Sequence, residues 1–255
     1  MMKLTEILRS PCCPKCEIIF DGNRLKCSNE ACGYQFKFTS ENDDLKIPIL
    51  INPLKCDTVF DANSLNYNVH RKNSFAKKVK KVFSSNKKTI SNIEKFYEKI
   101  SDETSLLRKQ ILVIGGGEEG NGTANLYNKQ ELDLISIDVY GSDLIDIVAD
   151  AHYLPFKDAS FDGVLIQAVL EHVVEPKKVV SEIFRVLKPS GVVYSEVPFM
   201  QPVHEGAYDF TRFTVLGHRY LFKRFELLEF GPMNGIEAAL PWIIKQTFLS
   251  LFGKS

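Results

Sequence analysis

Residues 148–193 read VADAHYLPFKDASFDGVLIQAVLEHVVEPKKVVSEIFRVLKPSGVV, and their periodicity decides the architecture. FDGVLIQ (161–167) is an apolar run of strand length, as expected of a strand buried on both faces. AVLEHVV (168–174) fits a short helix. PKKVVSEIFRVLK (176–188) is apolar at helical spacing, with Pro176 suited to the first turn, and Pro189-Ser190-Gly191 stops it. VVYSEVP (192–198) is again a strand. A strand, a helical crossover and a second strand imply parallel pairing with a helix covering the sheet.

The same alternation runs upstream. ILVIGG (111–116) reads as a buried strand, NGTANLYNKQ (121–130) as a helix, and LDLISID (132–138) and LIDIVAD (144–150) as strands. The expected fold is a doubly wound, mostly parallel α/β sheet of Rossmann-like type over residues 109–255. A small cysteine-rich unit (1–55) and a basic, partly helical linker (56–108) precede it.

Composition agrees with a globular chain: 255 residues, 44% hydrophobic and 25% charged, with Lys plus Arg and Asp plus Glu both at 32. That balance excludes global disorder and gives no overall bias toward nucleic acid or membrane. The charge is uneven, however, with a net +8 over residues 70–99 against −1 before and −7 after. The start, MMKLTEILRS, has no apolar run of signal-peptide length, and no stretch is long and apolar enough to span a membrane. A cytoplasmic location is the resulting expectation.

Five of the six cysteines fall within residues 12–32, which in a reducing compartment favours metal over disulfides. Cys13-x2-Cys16 and Cys27-x4-Cys32 are two knuckles separated by ten residues that hold the turn dipeptide Asp21-Gly22. Four thiolates suit a closed, structural zinc site, with Cys12 competing for the place of Cys13 and Gly33 allowing a tight second knuckle. Cys56 stands outside the pattern as an ordinary thiol.

After the first α/β strand comes Gly115-Gly116-Gly117-Glu118-Glu119-Gly120, with Asp138 at the end of the next strand. Glycines let the backbone approach a ligand, and a carboxylate at the second strand end can accept both ribose hydroxyl protons. Gly115-x-Gly117-x-x-Gly120 also satisfies the dinucleotide fingerprint of an NAD-dependent oxidoreductase, and a plain tight turn with an exposed Asp fits as well. Glu118 and Glu119 would repel a pyrophosphate and tolerate a sulfonium, which favours S-adenosylmethionine.

The stretch quoted first resembles class I S-adenosylmethionine-dependent methyltransferases of the small-molecule, quinone-biosynthesis-like type. The resemblance lies in Asp150-Ala151, Leu154-Pro155-Phe156, Phe161-Asp162, Leu170-Glu171-His172 and Leu187-Lys188-Pro189-Ser190-Gly191. It implies that Gly115 and Gly117 line the methionine moiety, Asp138 holds the ribose, Asp150 and Ala151 sit at the adenine, and Gln167 lies beside the methionine part or the sulfonium. His172 is expected to pack or cap a helix. Two departures stand out: Val113 replaces the family's usual acid, and the third glycine is displaced to Gly120. Leu8 to Pro53 resembles the zinc-ribbon-like domain that precedes the catalytic domain in some bacterial methyltransferases.

The acceptor belongs beyond the strand ends, where PFMQPVHEGAYDFTRFT (198–214) gathers aromatics with His204, Glu205, Asp209 and Arg212. This piece resembles a segment of methyltransferases associated with sugar and cell-surface polysaccharide pathways. His204 is the candidate general base, and Asp209 with Arg212 reads as a structural ion pair. The segment 70–100 places Phe75, Val79, Val82 and Phe83 among lysines at helical spacing, which reads as a solvated connector and keeps RNA as an alternative substrate. GIEAALPWIIKQTFLSLFGKS (235–255) is apolar and helical, with packing on the sheet as the default and a peripheral membrane contact as the alternative. The expected activity is O-methylation of a small molecule or glycan precursor. A tRNA or rRNA methyltransferase, an NAD-dependent oxidoreductase and a non-catalytic zinc-containing interaction module are the alternatives.

Overall fold

The computed structural model describes residues 2–13, 15–21, 24–39, 47–52, 87–101, 107–118, 120, 122–204, 208–235 and 239–252. Cys56, Phe75, Val79, Val82, Phe83, Glu119 and Glu205 lie outside the described residues.

The sheet is built on β5 (Lys109–Ile114). On one side it pairs in parallel with β6 (Leu132–Asp138), which pairs with β7 (Ile147–Val148). On the other side it pairs in parallel with β8 (Phe161–Gln167), which pairs with β9 (Leu187–Glu196). Side chains alternate along these strands, as a period of two requires. Leu112, Ile114, Val164 and Ile166 enter one apolar cluster, while Ile111, Val113 and Leu165 enter another on the opposite face. Each cluster has its own covering helix. Helix α2 (Lys87–Ile100) buries Thr89, Ile93, Phe96 and Ile100 on the second face, one residue per helical turn. Helix α4 (Pro176–Val186) buries Val179, Val180, Ile183 and Val186 on the first, with Pro176 in its first turn.

Local boundaries differ from the sequence reading in several places, and the short helix expected over 168–174 is a 3₁₀ turn of three residues, Leu170–His172. Helix α3 spans only Ala124–Tyr127, because the polar residues that flank Leu126 give it little to bury. Strand β7 is two residues long. Strand β9 starts at Leu187, where a Phe161–Leu187 pairing begins before the apolar run, and Pro189-Ser190-Gly191 is an irregularity inside the strand, with Ser190 at φ +66°. It therefore does not end the helix, which stops at Val186.

The cysteine-rich unit extends the same sheet. Helix α1 (Met2–Ile7) is followed by the hairpin of β1 (Ile18–Asp21) and β2 (Arg24–Cys27). Antiparallel β3 (Gln35–Phe38) follows, and β4 (Pro48–Ile49) links it in parallel to β7 through Ile49–Val148. The full order is β1-β2-β3-β4-β7-β6-β5-β8-β9. A second junction forms where Leu8 bridges Phe156 and Arg9 N–H donates to the Pro155 carbonyl at 3.0 Å. Above it, Arg185 donates to Glu182 at 2.7 Å, to Asp158 at 2.8 Å and to the Phe156 carbonyl at 2.7 Å. Arg9 adds a 3.3 Å contact to the same Glu182.

Beyond β9 lie α5 (Val215–Leu221) and α6 (Leu240–Phe252). The expectation that the C-terminal segment packs on the sheet is corrected. Leu240, Ile243, Ile244, Phe248 and Leu251, which share one face of the helix at i, i+3, i+4, i+8 and i+11, all stand exposed. Pro241 sits in the first turn, where it interrupts nothing. Among the described residues no helix is long and apolar enough to cross a membrane.

Phe156 is fully buried and meets Phe161 edge-on at 4.9 Å, beneath the junction between the two parts. Phe156→Ala is expected to cost about 3–5 kcal/mol, read as a lowered urea midpoint with an unchanged slope.

Candidate functional site

Strand order reverses at β5: β6 and β7 go to one side, and β8 and β9 to the other. Open α/β sheets form a crevice at the strand carboxyl ends at such a point. Here it widens into an open cavity of about 3590 Å³ lined by Gly115, Gly117, Asp138, Asp150, Ala151, Gln167, His172 and His204 among others. The usual ligand site measures roughly 300–1,000 Å³, so the crevice is larger than one small ligand requires.

The glycine loop is held against the next strand. Gly115 lies at φ +79°, and a Cβ there would meet Val169 Cγ2 at 2.2 Å. A Cβ on Gly117 would meet Asp138 Oδ2 at 2.6 Å, in the place where Gly117 N–H donates to that oxygen at 3.0 Å. The other oxygen, Oδ1, accepts from Tyr140 N–H at 3.2 Å. Asp138 is thus aimed into the cavity with its orientation fixed by two backbone donors. Gly120 comes close to Gln167, whose Nε2 donates to Glu196 at 3.0 Å. Val113, where the family acid was expected, is buried with Ile93, Phe96 and Leu165. A carboxylate there would be desolvated among hydrocarbon.

Asp150 is buried, and its Oδ1 accepts from His152 N–H at 2.9 Å and from His152 Nδ1 at 2.6 Å. His152 Nε2 in turn accepts from Glu175 N–H at 3.1 Å, which assigns the proton to Nδ1. The sequence alone gave no sign of this support. It orders the loop that begins at Asp150 and presents Ala151 to the cavity.

On the acceptor side, β8 ends in Ala168 at φ +53°, and the 3₁₀ turn Leu170–His172 follows. Glu171 is fully buried, and neither carboxylate oxygen has a hydrogen-bond donor on any other described residue. Burial pushes its carboxyl up to about 7. Its backbone carbonyl accepts from Phe210 at 2.8 Å and from Thr211 at 3.2 Å, which pins the 198–214 segment over the turn. His204, the expected base, places its Nε2 3.1 Å from His172 Nε2. It therefore belongs to a cluster with Glu171 and His172 and is not an isolated group facing open space. The expectation that His172 serves only packing or capping misses this cluster. Asp209 accepts from His204 N–H at 2.9 Å and forms a two-armed ion pair with Arg212. These bonds, led by that to Arg212, hold the Asp209 carboxyl down at about 2.

In the cysteine-rich unit the Sγ atoms of Cys13, Cys27 and Cys32 lie within 4.8 Å of one another, and the three could hold a metal ion. Cys16 does not join them. Its N–H donates to the Cys13 carbonyl at 2.8 Å in the tight turn, while the Cys12 thiol approaches Cys32. Burial, followed by the nearby thiols, pushes Cys12 up to about 12, and the hydrogen bond to Cys32 pushes Cys13 up to about 11. The described thiols, Cys12, Cys13, Cys16, Cys27 and Cys32, form no disulfide.

The family model described as a methyltransferase domain matches residues 115–195, from the glycine loop to the end of β9. This stretch is similar to a methyltransferase domain. The chain is similar to demethylmenaquinone methyltransferase of Lactobacillus johnsonii, 38% identical over 36% of this chain and 37% of that protein. It is 54% identical to the enzyme of the same name from Clavibacter sepedonicus over 20% of this chain and 21% of that protein. A ubiquinone/menaquinone biosynthesis C-methyltransferase of Roseobacter denitrificans is 35% identical over 28% and 29%. The chain thus spans well under half the length of these relatives. Among solved structures, a putative sarcosine dimethylglycine methyltransferase from Galdieria sulphuraria aligns at 19% identity and a TM-score of 0.43, over 53% of this chain and 58% of that one. The match ends at Ser195, so His204, Asp209 and Arg212 lie outside the matched segment.

Asp209→Asn removes the charge that anchors this outer segment. In hydrogen exchange at pH 7 the His204 and Phe210 amides are expected to lose protection, while the amides of β5 and β8 keep theirs. Because the Asp209 pKa is depressed, its contribution in the wild type is present above roughly pH 4 and is lost as pH falls toward 2.

Proposed function

We propose that the protein is a cytoplasmic S-adenosylmethionine-dependent methyltransferase that transfers the methyl group to an oxygen of a small molecule or glycan precursor. The observation that carries this reading is the glycine loop packed without Cβ clearance onto Asp138, whose carboxylate is aimed into the cavity at the switch point. The family match supplies the reaction class.

When bound, the sulfonium cofactor supplies an electrophilic methyl carbon. The chain's own residues do the rest. Asp138 would hold the ribose hydroxyls, and Gly115 and Gly117 would let the backbone lie against the methionine part, with Gln167 beside it. Asp150 and Ala151 would sit at the adenine. His204 would stand on the acceptor side, where it would take the proton of an acceptor hydroxyl aligned with the methyl carbon. Alignment of this kind accounts for much of the rate of such displacements. Glu118 on the cavity wall favours a cationic cofactor over an NAD pyrophosphate. The net negative charge after residue 100 disfavours RNA. The exposed apolar face of α6 is compatible with an acceptor presented at a membrane surface.

The cysteine-rich unit is proposed to carry a structural zinc ion on Cys13, Cys27 and Cys32, with Cys12 as the fourth thiolate in place of Cys16. Three sulfurs already converge, and thiols so placed release their protons when they bind a cation. Zinc on such thiolates supplies on the order of 10 kcal/mol to folding.

Two measurements check these assignments. Calorimetry with S-adenosylhomocysteine is expected to show one site that NAD does not fill, and Asp138→Asn should weaken it at least tenfold, about 1.4 kcal/mol. Binding of NAD alone would support the oxidoreductase, and binding of neither would support the interaction module. Zinc content should fall from one thiolate-bound equivalent in Cys12→Ser and stay near it in Cys16→Ser; the reverse order would restore Cys16 as the ligand.

A further inference from the structure

We infer that Glu171, His172 and His204 form a second metal site, for a divalent cation of the Mn²⁺, Co²⁺ or Zn²⁺ class, on the acceptor wall of the cavity.

The tautomers are decided by their surroundings. His172 Nδ1 lies 2.6 Å from the Tyr208 carbonyl, an acceptor, so it carries the proton and leaves a lone pair on Nε2. His204 Nδ1 has two acceptors, the Pro202 carbonyl at 3.1 Å and Asp209 Oδ2 at 3.3 Å, both nearer than the Arg212 nitrogen at 3.5 Å. It carries the proton too. Two imidazole lone pairs therefore face each other across 3.1 Å. That contact is repulsive unless something electropositive lies between them.

The third member points the same way. Glu171 is 0% exposed, its two oxygens meet no donor on any other described residue, and Oε1 stands 3.7 Å from His172 Nε2. A buried carboxylate without a donor is costly, and one divalent ion would satisfy it together with both nitrogens. All three ligand atoms fall within 4.8 Å of one another. With metal–ligand bonds near 2.05 Å, tetrahedral ligands sit about 3.3 Å apart, so the observed 3.1 and 3.7 Å need only small adjustments. Each imidazole already donates its remote N–H to a carbonyl, with Asp209 beside one of them, which is the support that metal-bound histidines require. Asp209 in turn neutralises Arg212, so the guanidinium does not repel the ion. Two imidazoles favour a transition ion over Mg²⁺, which prefers oxygen donors.

Three protein ligands from one side leave coordination positions open toward the cavity. There the ion would bind the acceptor hydroxyl and lower its pKa. The proton passes to water, the oxygen's electron pair forms the bond to the methyl carbon, and the carbon–sulfur pair stays on sulfur. His204 is then a ligand and not the base. This catalytic role rests on the proposed methyl transfer; the metal site itself does not.

The test uses the full chain stripped with chelator. Mn²⁺ is titrated and its free signal followed by electron paramagnetic resonance, zinc is counted after equilibrium dialysis, and S-adenosylhomocysteine binding is measured on the same samples. The expected result is one saturable Mn²⁺ that Glu171→Gln and His204→Ala each weaken at least tenfold, while Cys27→Ser leaves it unchanged. Zinc should likewise lose this equivalent in the first two variants, whereas Cys27→Ser loses the thiolate-bound equivalent and keeps this one. If neither ion shows an equivalent dependent on Glu171 and His204, in variants whose circular dichroism matches the wild type, the site is overturned. Mn²⁺ binding without S-adenosylhomocysteine binding would uphold the site and count against the methyltransferase reading.

Discussion

The functional half of the molecule depends on one carboxylate held by two backbone amides. Asp138 ends β6, accepts from Gly117 and Tyr140, and so ties the loop after β5 to the turn after β6. The contact requires that residue 117 have no side chain, because a Cβ would fall 2.6 Å from the Asp138 oxygen. The same carboxylate is oriented toward the switch-point cavity, where a nucleoside ligand needs an acceptor for its sugar hydroxyls. Fold stability and ligand recognition are here properties of one hydrogen-bonded corner.

Around this corner the sheet organises two kinds of site. Toward β7 it continues through a two-residue strand into the cysteine-rich hairpins, so the thiol cluster is joined to the catalytic sheet by backbone hydrogen bonds and the Arg9–Glu182–Arg185 contacts. Toward β9 the outer segment is clamped by Asp209 and Arg212 and by the Glu171 carbonyl. This brings residues 32 apart in the chain, His172 and His204, into contact above a buried acid. Two ligand clusters of different chemistry thus lie on opposite sides of the crevice-forming strand, sulfur on one and imidazole with carboxylate on the other.

Much of this was legible in the sequence where local signals are strong. β6 and β8 have the limits that their apolar runs predict, and the glycine loop and Asp138 meet as their spacing suggested. Helix α4 follows from its period and from Pro176. Other features were hidden because they depend on tertiary partners. The early start of β9 comes from the pairing of Leu187 with Phe161 across the sheet, which outweighs the turn-like Pro189-Ser190-Gly191. The continuity of the sheet through β4 rests on two residues, too few for any pattern. The cluster of Glu171, His172 and His204 had one visible member, since burial of Glu171 and the facing of two histidines arise only when the outer segment folds back. The approach of the Cys12 thiol to Cys32 likewise depends on how the first knuckle turns.

The most direct test of the account is a crystal structure of the full chain grown with S-adenosylhomocysteine. The account predicts the ligand over the carboxyl ends of β5 and β6, with its ribose hydroxyls on Asp138 and its thioether sulfur turned toward the wall formed by His172 and His204. A ligand bound elsewhere, or one in this crevice that leaves Asp138 uncontacted, would contradict it.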